Sequence, residues 1–479
     1  MKASTINFLF IFFLIGGGLD CNKAVDPGAN PTALSRASVY QNNTTAAAAL
    51  TGLYSNMVNT PGILTGALSE YGGLSADELS LYSTDVTLSQ FYTNSLLSTN
   101  ASIPTWSEIY KYVYLTNAAL EGLSASSTLT PSIKQQLTGE AYFVRGILYF
   151  YAVNLFGDVA LVTTTNEQAN AISARKSKAQ VYQQIVQDLT AAQNILSVQY
   201  LGADVKTATS ERVRPTRWAA TALLARTYLF TSDWSNAEAQ ASKVISNSPT
   251  YSLALNPDSV FLKNSNEAIW QLQPVNPTLN TNDGKTFILT TSPVGSSSSP
   301  VALSQTLLSI FETGDIRRKK WIKDTVFNAI PYSYPFKYKV KAGTGASVTW
   351  TEYTMILRLA EQYLIRAEAR AQQGNITGTS GALSDLNAIR NRAGLSPYAG
   401  TTDQASVLAA ILHERQTELF TELGHRWLDL KRTSSIDAVM GTVTPQKGGG
   451  AWNSSKALFP IPNSDILSDP SLTQNPGYN

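Results

Sequence analysis

The chain has 479 residues, 43% of them hydrophobic and only 15% charged, with a formal net charge of +2. That length allows one large domain or two to three ordinary ones with a sizeable core, and the near-neutral net charge argues against the electrostatic footprint of a nucleic-acid binder. The one cysteine, Cys21, excludes an intramolecular disulfide, so packing alone holds the core.

The N-terminus carries Lys2, an apolar run from Ile6 to Leu14, and Ile15-Gly16-Gly17-Gly18-Leu19-Asp20-Cys21. The run is far shorter than the roughly 20 apolar residues a membrane span needs, and it predicts a signal peptide over residues 1–20. A lone cysteine directly after a short apolar segment resembles a bacterial lipoprotein signal, in which that cysteine is acylated. Asp20 stands where such signals usually carry Gly, Ala or Ser. Residues 21–45 are polar, contain Pro and Gly and show no helical period, which predicts the lipidated Cys21 and a flexible tether. A single folded domain is expected over residues 46–479.

Within that domain the dominant period is helical. Helices are expected over about 103–123, 131–156 and 178–197. Trp218, Ala222, Ala225 and Leu229 then share one face of a helix ending near Phe230. Thr231-Ser232-Asp233 offers an N-cap, and Ala237, Ala241, Val244 and Ile245 mark a second helix closed by Pro249. Small residues where two helices approach, with Tyr228, Trp234 and the closing proline, resemble a tetratricopeptide repeat. Ile356, Leu359, Ala360, Tyr363, Leu364, Ala367 and Ala371 make the cleanest apolar stripe, stopped by Gly374-Asn375. Further helices are expected over about 381–393 and 404–432.

The predicted fold class is therefore mainly α. Tetratricopeptide-like helical repeats, about 103–249 and 354–432, form a short solenoid with long irregular loops and few short strands. The loop-rich insertions are about 61–100 and 250–353, with short strands expected at Ala268–Leu272 and Thr286–Thr290. Loops of this length in a compact protein are usually functional or disordered.

Four stretches carry a family resemblance when taken together. They are Arg145 to Tyr151 leading into Leu155-Phe156-Gly157-Asp158-Val159, and Arg214-Pro215-Thr216-Arg217 with Leu223 to Leu229. The third runs from Leu357 to Ala369 with Leu386 to Gly394 after it. The fourth joins Glu414-Arg415, Glu418, Glu422 and Gly424 to Arg432 with Phe459-Pro460-Ile461-Pro462 and Gln474 to Tyr478. In this order they resemble the SusD/RagB family of outer-membrane nutrient-binding lipoproteins. The resemblance implies export to a Gram-negative outer membrane, a lipid anchor, and a partner SusC-like TonB-dependent transporter that receives a glycan, or a peptide in some branches. It implies no enzymatic activity, no cofactor and no nucleic-acid partner.

The charged residues of these stretches also have a structural reading: Arg358, Glu361 and Glu368, like Glu414, Arg426, Asp429 and Arg432, sit beside apolar stripes where Arg–carboxylate pairs orient packed helices. Enzyme readings find little support. Glu414, Glu418 and Glu422 share one helical face, whereas glycosidases set two carboxyls across a cleft. His413-Glu414 is followed by Thr417 where a zinc motif needs histidine, so no metal site is expected. Sugar binding needs flat aromatic faces and polar side chains. Loop aromatics supply them: Tyr71, Tyr82, Phe91 and Tyr92 beside Asp77, Glu78 and Asn94, then Trp270, Trp321, Tyr332, Tyr334 and Trp350. Tyr82, Tyr92 and Trp350 are the expected ligand-stacking residues. A protein-binding scaffold is the alternative function, and a carbohydrate-active enzyme is the third.

Overall fold

The computed structural model describes residues 36–59, 62–100, 104–342 and 349–478. The predicted signal peptide, Cys21 and the first part of the tether lie outside the described residues. From α1 (Asn43–Asn59) the chain passes through α2 (Ala67–Ser75), β1 (Leu79–Leu81) and α3 (Val86–Tyr92) into the long helices α4 (Pro104–Ala125) and α5 (Pro131–Phe156). Every residue from Phe143 to Gly157 is buried, so neighbours cover the second half of α5 on every side, Arg145 included, which pairs with Asp188. A Cβ placed on Gly146 would meet the Leu189 side chain at 2.8 Å, and this bare spot lets α6 (Lys178–Ile195) lie close against α5.

The expected helix pair follows as α7 (Arg217–Phe230) and α8 (Trp234–Ile245). Asp233 caps α8, its carboxylate accepting from the Asn236 N–H at 3.2 Å. Ala237, Ala241 and Val244 of α8 are fully buried, as the alanine pattern required. Next come β2 (Ala268–Leu272), β3 (Val301–Leu303), the hairpin β4 (Ile322–Phe327) and β5 (Ile330–Pro335), and β6 (Thr354–Arg358). The pairings are β1 with β3, β2 with β6 and β4 with β5, all antiparallel and each a two-stranded sheet. The C-terminal helices are α9 (Leu359–Gln372), α10 (Ala382–Arg392), α11 (Gln404–Leu419) and α12 (His425–Arg432). Helix α9 packs against α8, α10 and α11, and the fold is mainly α, of stacked helices joined by long loops.

Several local expectations are corrected. The end of the expected tether is helical, at Arg36–Val39 and from Asn43 onward, with Tyr40 buried in the core. Residues 61–100 are not wholly irregular: the Gly- and Ser-rich segment forms α2 and α3, with Asp85 capping the latter through Leu88 N–H at 2.9 Å. The strand expected over Thr286–Thr290 is replaced by a helix at Asn282–Phe287, capped by the Thr281 hydroxyl accepting from Gly284 N–H at 2.9 Å. A short apolar run does not distinguish strand from helix, and here the cap decides. The single helix expected from Ile356 starts instead at Leu359, because Ile356 and Leu357 lie in β6, where Leu357 pairs with Trp270 of β2.

Candidate ligand-binding surface

Strand β1 sets the geometry of the first candidate residues. Its pairing Leu79↔Leu303, Ser80↔Ala302, Leu81↔Val301 brings the chain out at Tyr82 beside the 289–299 loop. Tyr82 N–H donates to Pro300 C=O at 2.8 Å, and Gly295 N–H donates to Tyr82 C=O at 3.2 Å. The Tyr82 ring meets Tyr332 of β5 edge-on, with centroids 5.2 Å apart. Buried Tyr332 and Tyr334, with Ile288, Leu289 and Ala302, form an aromatic satellite core under half-buried Tyr82.

Helix α3 brings Tyr92 to the same region. Its hydroxyl bonds with Ser80, the residue on β1 two before Tyr82. The Lys447 ammonium lies 5.1 Å from its ring centroid, held by the carbonyls of Leu74 and Ala76. Burial, and the neighbouring tyrosines, push the Tyr82 phenol up; burial does the same for Tyr92. Both phenols are therefore neutral near pH 7, each an apolar ring with a hydroxyl that can donate or accept. Around Tyr82 the loop supplies Thr290, Thr291, Ser297 and Ser298, all exposed. Flat rings beside uncharged hydroxyls can hold a polar, C–H-rich ligand without any ion pair.

Trp350 stands apart. Its indole N–H donates to Leu279 C=O at 3.1 Å, and its ring lines a different cleft of about 570 Å³ with Thr51, Tyr54, Glu211, Arg214 and Gln273. None of the residues around Tyr82 and Tyr92 borders that cleft. The structure thus brings two of the three predicted residues together and gives the third its own site.

The other loop aromatics are packing groups. Tyr71 stacks on buried Phe91 with centroids 4.3 Å apart, and Trp270 and Trp321 are fully buried. The acidic neighbours are also engaged elsewhere. Asp77 forms a bidentate pair with Arg426 at 2.8 and 2.7 Å, and Asn94 bridges Ser75 C=O and the Thr444 hydroxyl. Glu78 is buried, its carboxyl pushed up to about 8 by desolvation and by Asp77. Glu418 takes Arg358, Arg317 and Arg392, and Glu422 takes Arg358 and Lys337. Glu414 faces Arg317 at 2.6 Å. These carboxylates are locked in a buried ion network with arginine and lysine side chains. Among the described residues no three His, Cys, Asp or Glu side chains form a metal-binding group, and no helix is long and apolar enough to cross a membrane.

The remaining motif residues knit the scaffold. Phe459 N–H donates to Leu155 C=O at 2.8 Å, and the Asn475 amide donates to the carbonyls of Phe156 at 2.9 Å and Phe459 at 2.8 Å. Arg226 reaches Glu361, and Arg432 reaches Glu368 and Asp429.

The family described as "SusD family" matches residues 312–478, and that described as "Starch-binding associating with outer membrane" matches residues 36–229. The chain belongs to the SusD/RagB family. Among SusD-like relatives, SusD-like protein P2 of Formosa agariphila is 24% identical over 421 residues, spanning 78% of this chain and 80% of that protein. A SusD superfamily crystal structure from Bacteroides vulgatus superposes with a TM-score of 0.77 at 21% identity, covering 91% of this chain and 99% of that one. A laminarin-binding SusD-like protein superposes with a TM-score of 0.71 at 24% identity, covering 92% and 100%. In this SusD-family chain the motif residues tie helices and the C-terminal segment together, and the candidate aromatics Tyr82, Tyr92 and Trp350 lie outside those motifs. Sequence reasoning missed the hydroxyl-rich loop beside Tyr82; the run Ser296 to Ser299 was its one visible signal.

Proposed function

We propose that this SusD-family chain is a cell-surface binding lipoprotein that captures a neutral oligosaccharide on the Tyr82–Tyr92 surface. It delivers the glycan to a SusC-like TonB-dependent transporter in the outer membrane, to which lipid on Cys21 tethers it. It performs no chemical step. The observation that carries this reading is the pair of half-buried tyrosines beside an uncharged hydroxyl loop, with nearby Asp77 paired to Arg426 and Glu78 buried. A family description naming starch and a structural neighbour named for laminarin support a glycan ligand.

The test is binding of the mature chain to a panel of laminarin, starch, other neutral glycans and peptides, with product release followed in the same samples. A glycan is expected to bind without turnover, and Tyr82→Ala with Tyr92→Ala to weaken it about tenfold or more, some 1.4 kcal/mol. Trp350→Ala reports whether the second cleft contributes. Unchanged affinity after all three substitutions removes the site assignment, turnover overthrows the non-enzymatic role, and binding of peptide alone replaces the glycan.

A further inference from the structure

A second cleft, of about 420 Å³, opens where the end of α5, the start of α6, α12 and the C-terminal segment meet. Its lining carries Arg175, Lys178, Lys431 and Arg432 against a single carboxylate, Asp158. Arg432 is neutralised by Glu368 and by Asp429 at 2.7 Å. The other three cations form no ion pair with any carboxylate of the described residues. Arg175 donates only to neutral oxygens: Asp158 C=O at 2.7 Å, Thr473 C=O at 2.9 Å, Phe156 C=O at 3.4 Å and the Asn475 side-chain oxygen at 2.5 Å. Asp158 spends one carboxylate oxygen on the Lys178 backbone N–H at 2.8 Å.

Lys431 is the least satisfied. Its ammonium donates to Asn154 C=O in the last turn of α5 and to no other acceptor among the described residues. Burial, then the Lys178 charge, pulls its pKa down to about 7. A partly buried ammonium without a counter-charge is costly, and an anion placed beside it removes that cost.

We propose that this cleft is an oxyanion-binding site for a carboxylate or sulfate group, either free in solution or carried on a sugar ring. The volume suits a small ligand of monosaccharide size, at the low end of the range of about 300–1,000 Å³ typical of such sites. Leu458, Val153 and Pro476 give the cleft an apolar wall against which a ring can rest, while Lys178 and Lys431 reach the charged group. The site shares no lining residue with the tyrosine surface, so it stands or falls independently of glycan capture there.

Calorimetric titration of the intact chain with sodium sulfate, glucuronate and glucose, at constant ionic strength and pH 6.5, tests the assignment. Sulfate or glucuronate is expected to bind and glucose not; tighter glucuronate marks a sugar-borne anion and sulfate alone a free one. Lys178→Ala with Lys431→Met is expected to weaken binding about tenfold or more, the size of a charge-assisted hydrogen bond. Lys178 is exposed, its ammonium 5.8 Å from the Tyr182 ring centroid, so Lys178→Ala removes only a surface contact and alone decides the matter if the double variant does not fold. Binding of neither anion, or binding undiminished in Lys178→Ala and in any folded double variant, overturns the proposal.

Discussion

Glu78 lies in the wall between β1 and the α11–α12 turn, where its Oε2 accepts only a 3.3 Å bond from Thr421 N–H and Oε1 has no partner. Desolvation there raises its carboxyl to about 8, against an ordinary value of 4.5. A raised folded-state pKa means the folded chain holds a proton that the unfolded chain gives up. The stability it contributes is full below the unfolded value and is lost as pH rises from about 4.5 to 8. Glu78→Gln keeps the shape and removes the ionisation. Urea denaturation at pH 5 and pH 8 is expected to show the wild type losing more stability than the variant, by at most about 1.4 kcal/mol per pH unit. Equal slopes would place Glu78 in contact with a cation or with solvent. Glu78 was legible only as a polar neighbour of loop aromatics. Tyr82 and Tyr92 were legible as loop aromatics, but their juxtaposition depends on the β1–β3 register and the Tyr92–Ser80 bond. Trp350 looked the same in sequence and lies in another cleft, because chain order does not say which loops share a face.

At the scale of elements, the helix expected over 404–432 breaks at Phe420 into α11 and α12. Thr421, Leu423 and Gly424 all take positive φ, 51°, 47° and 70°, and the turn aims Glu422 at Arg358 and Lys337. The reversal also carries Gly424 against α2: a Cβ on Gly72 would lie 2.6 Å from the Gly424 Cα, a backbone atom that no rotamer change can move aside. Gly72→Ala is therefore expected to destabilise the fold by about 1–3 kcal/mol, the cost of overpacking a closed contact. Denaturation midpoints measure it, and an unchanged midpoint would mean the two segments separate freely. Elements with a long apolar period were readable with little error: α5 and the α7–α8 pair stand within a residue or so of their expected bounds. Those misread, α2, α3 and the helix at Asn282–Phe287, are short, and long-range contacts rather than periodicity stabilise them.

For the whole molecule, the main hydrophobic cluster extends from Tyr40 to Tyr478 and joins α1, α5 and the C-terminal segment in one core. That continuity follows from the order of the motifs, since the Phe459 and Asn475 region closes on the end of α5 far away in sequence. No helix among the described residues is long and apolar enough to cross a membrane, and the proposed anchor is lipid on Cys21. Mass spectrometry of the protein in a membrane fraction is expected to show an N-terminal peptide beginning at acylated Cys21; an unmodified Cys21 in soluble protein would remove the tether and leave the binding surface as it is.

The sequence by itself determined the helical class, the repeat-like pair and the family, because apolar periodicity and ordered motifs are local signals that survive without coordinates. It also marked the charged motif residues as partners for one another. Only the tertiary structure decided which carboxylates are locked, which tyrosines meet, and that Arg175, Lys178 and Lys431 converge on one cleft. Each of those depends on distances between segments remote in the chain, set by how the helices pack rather than by any spacing along it.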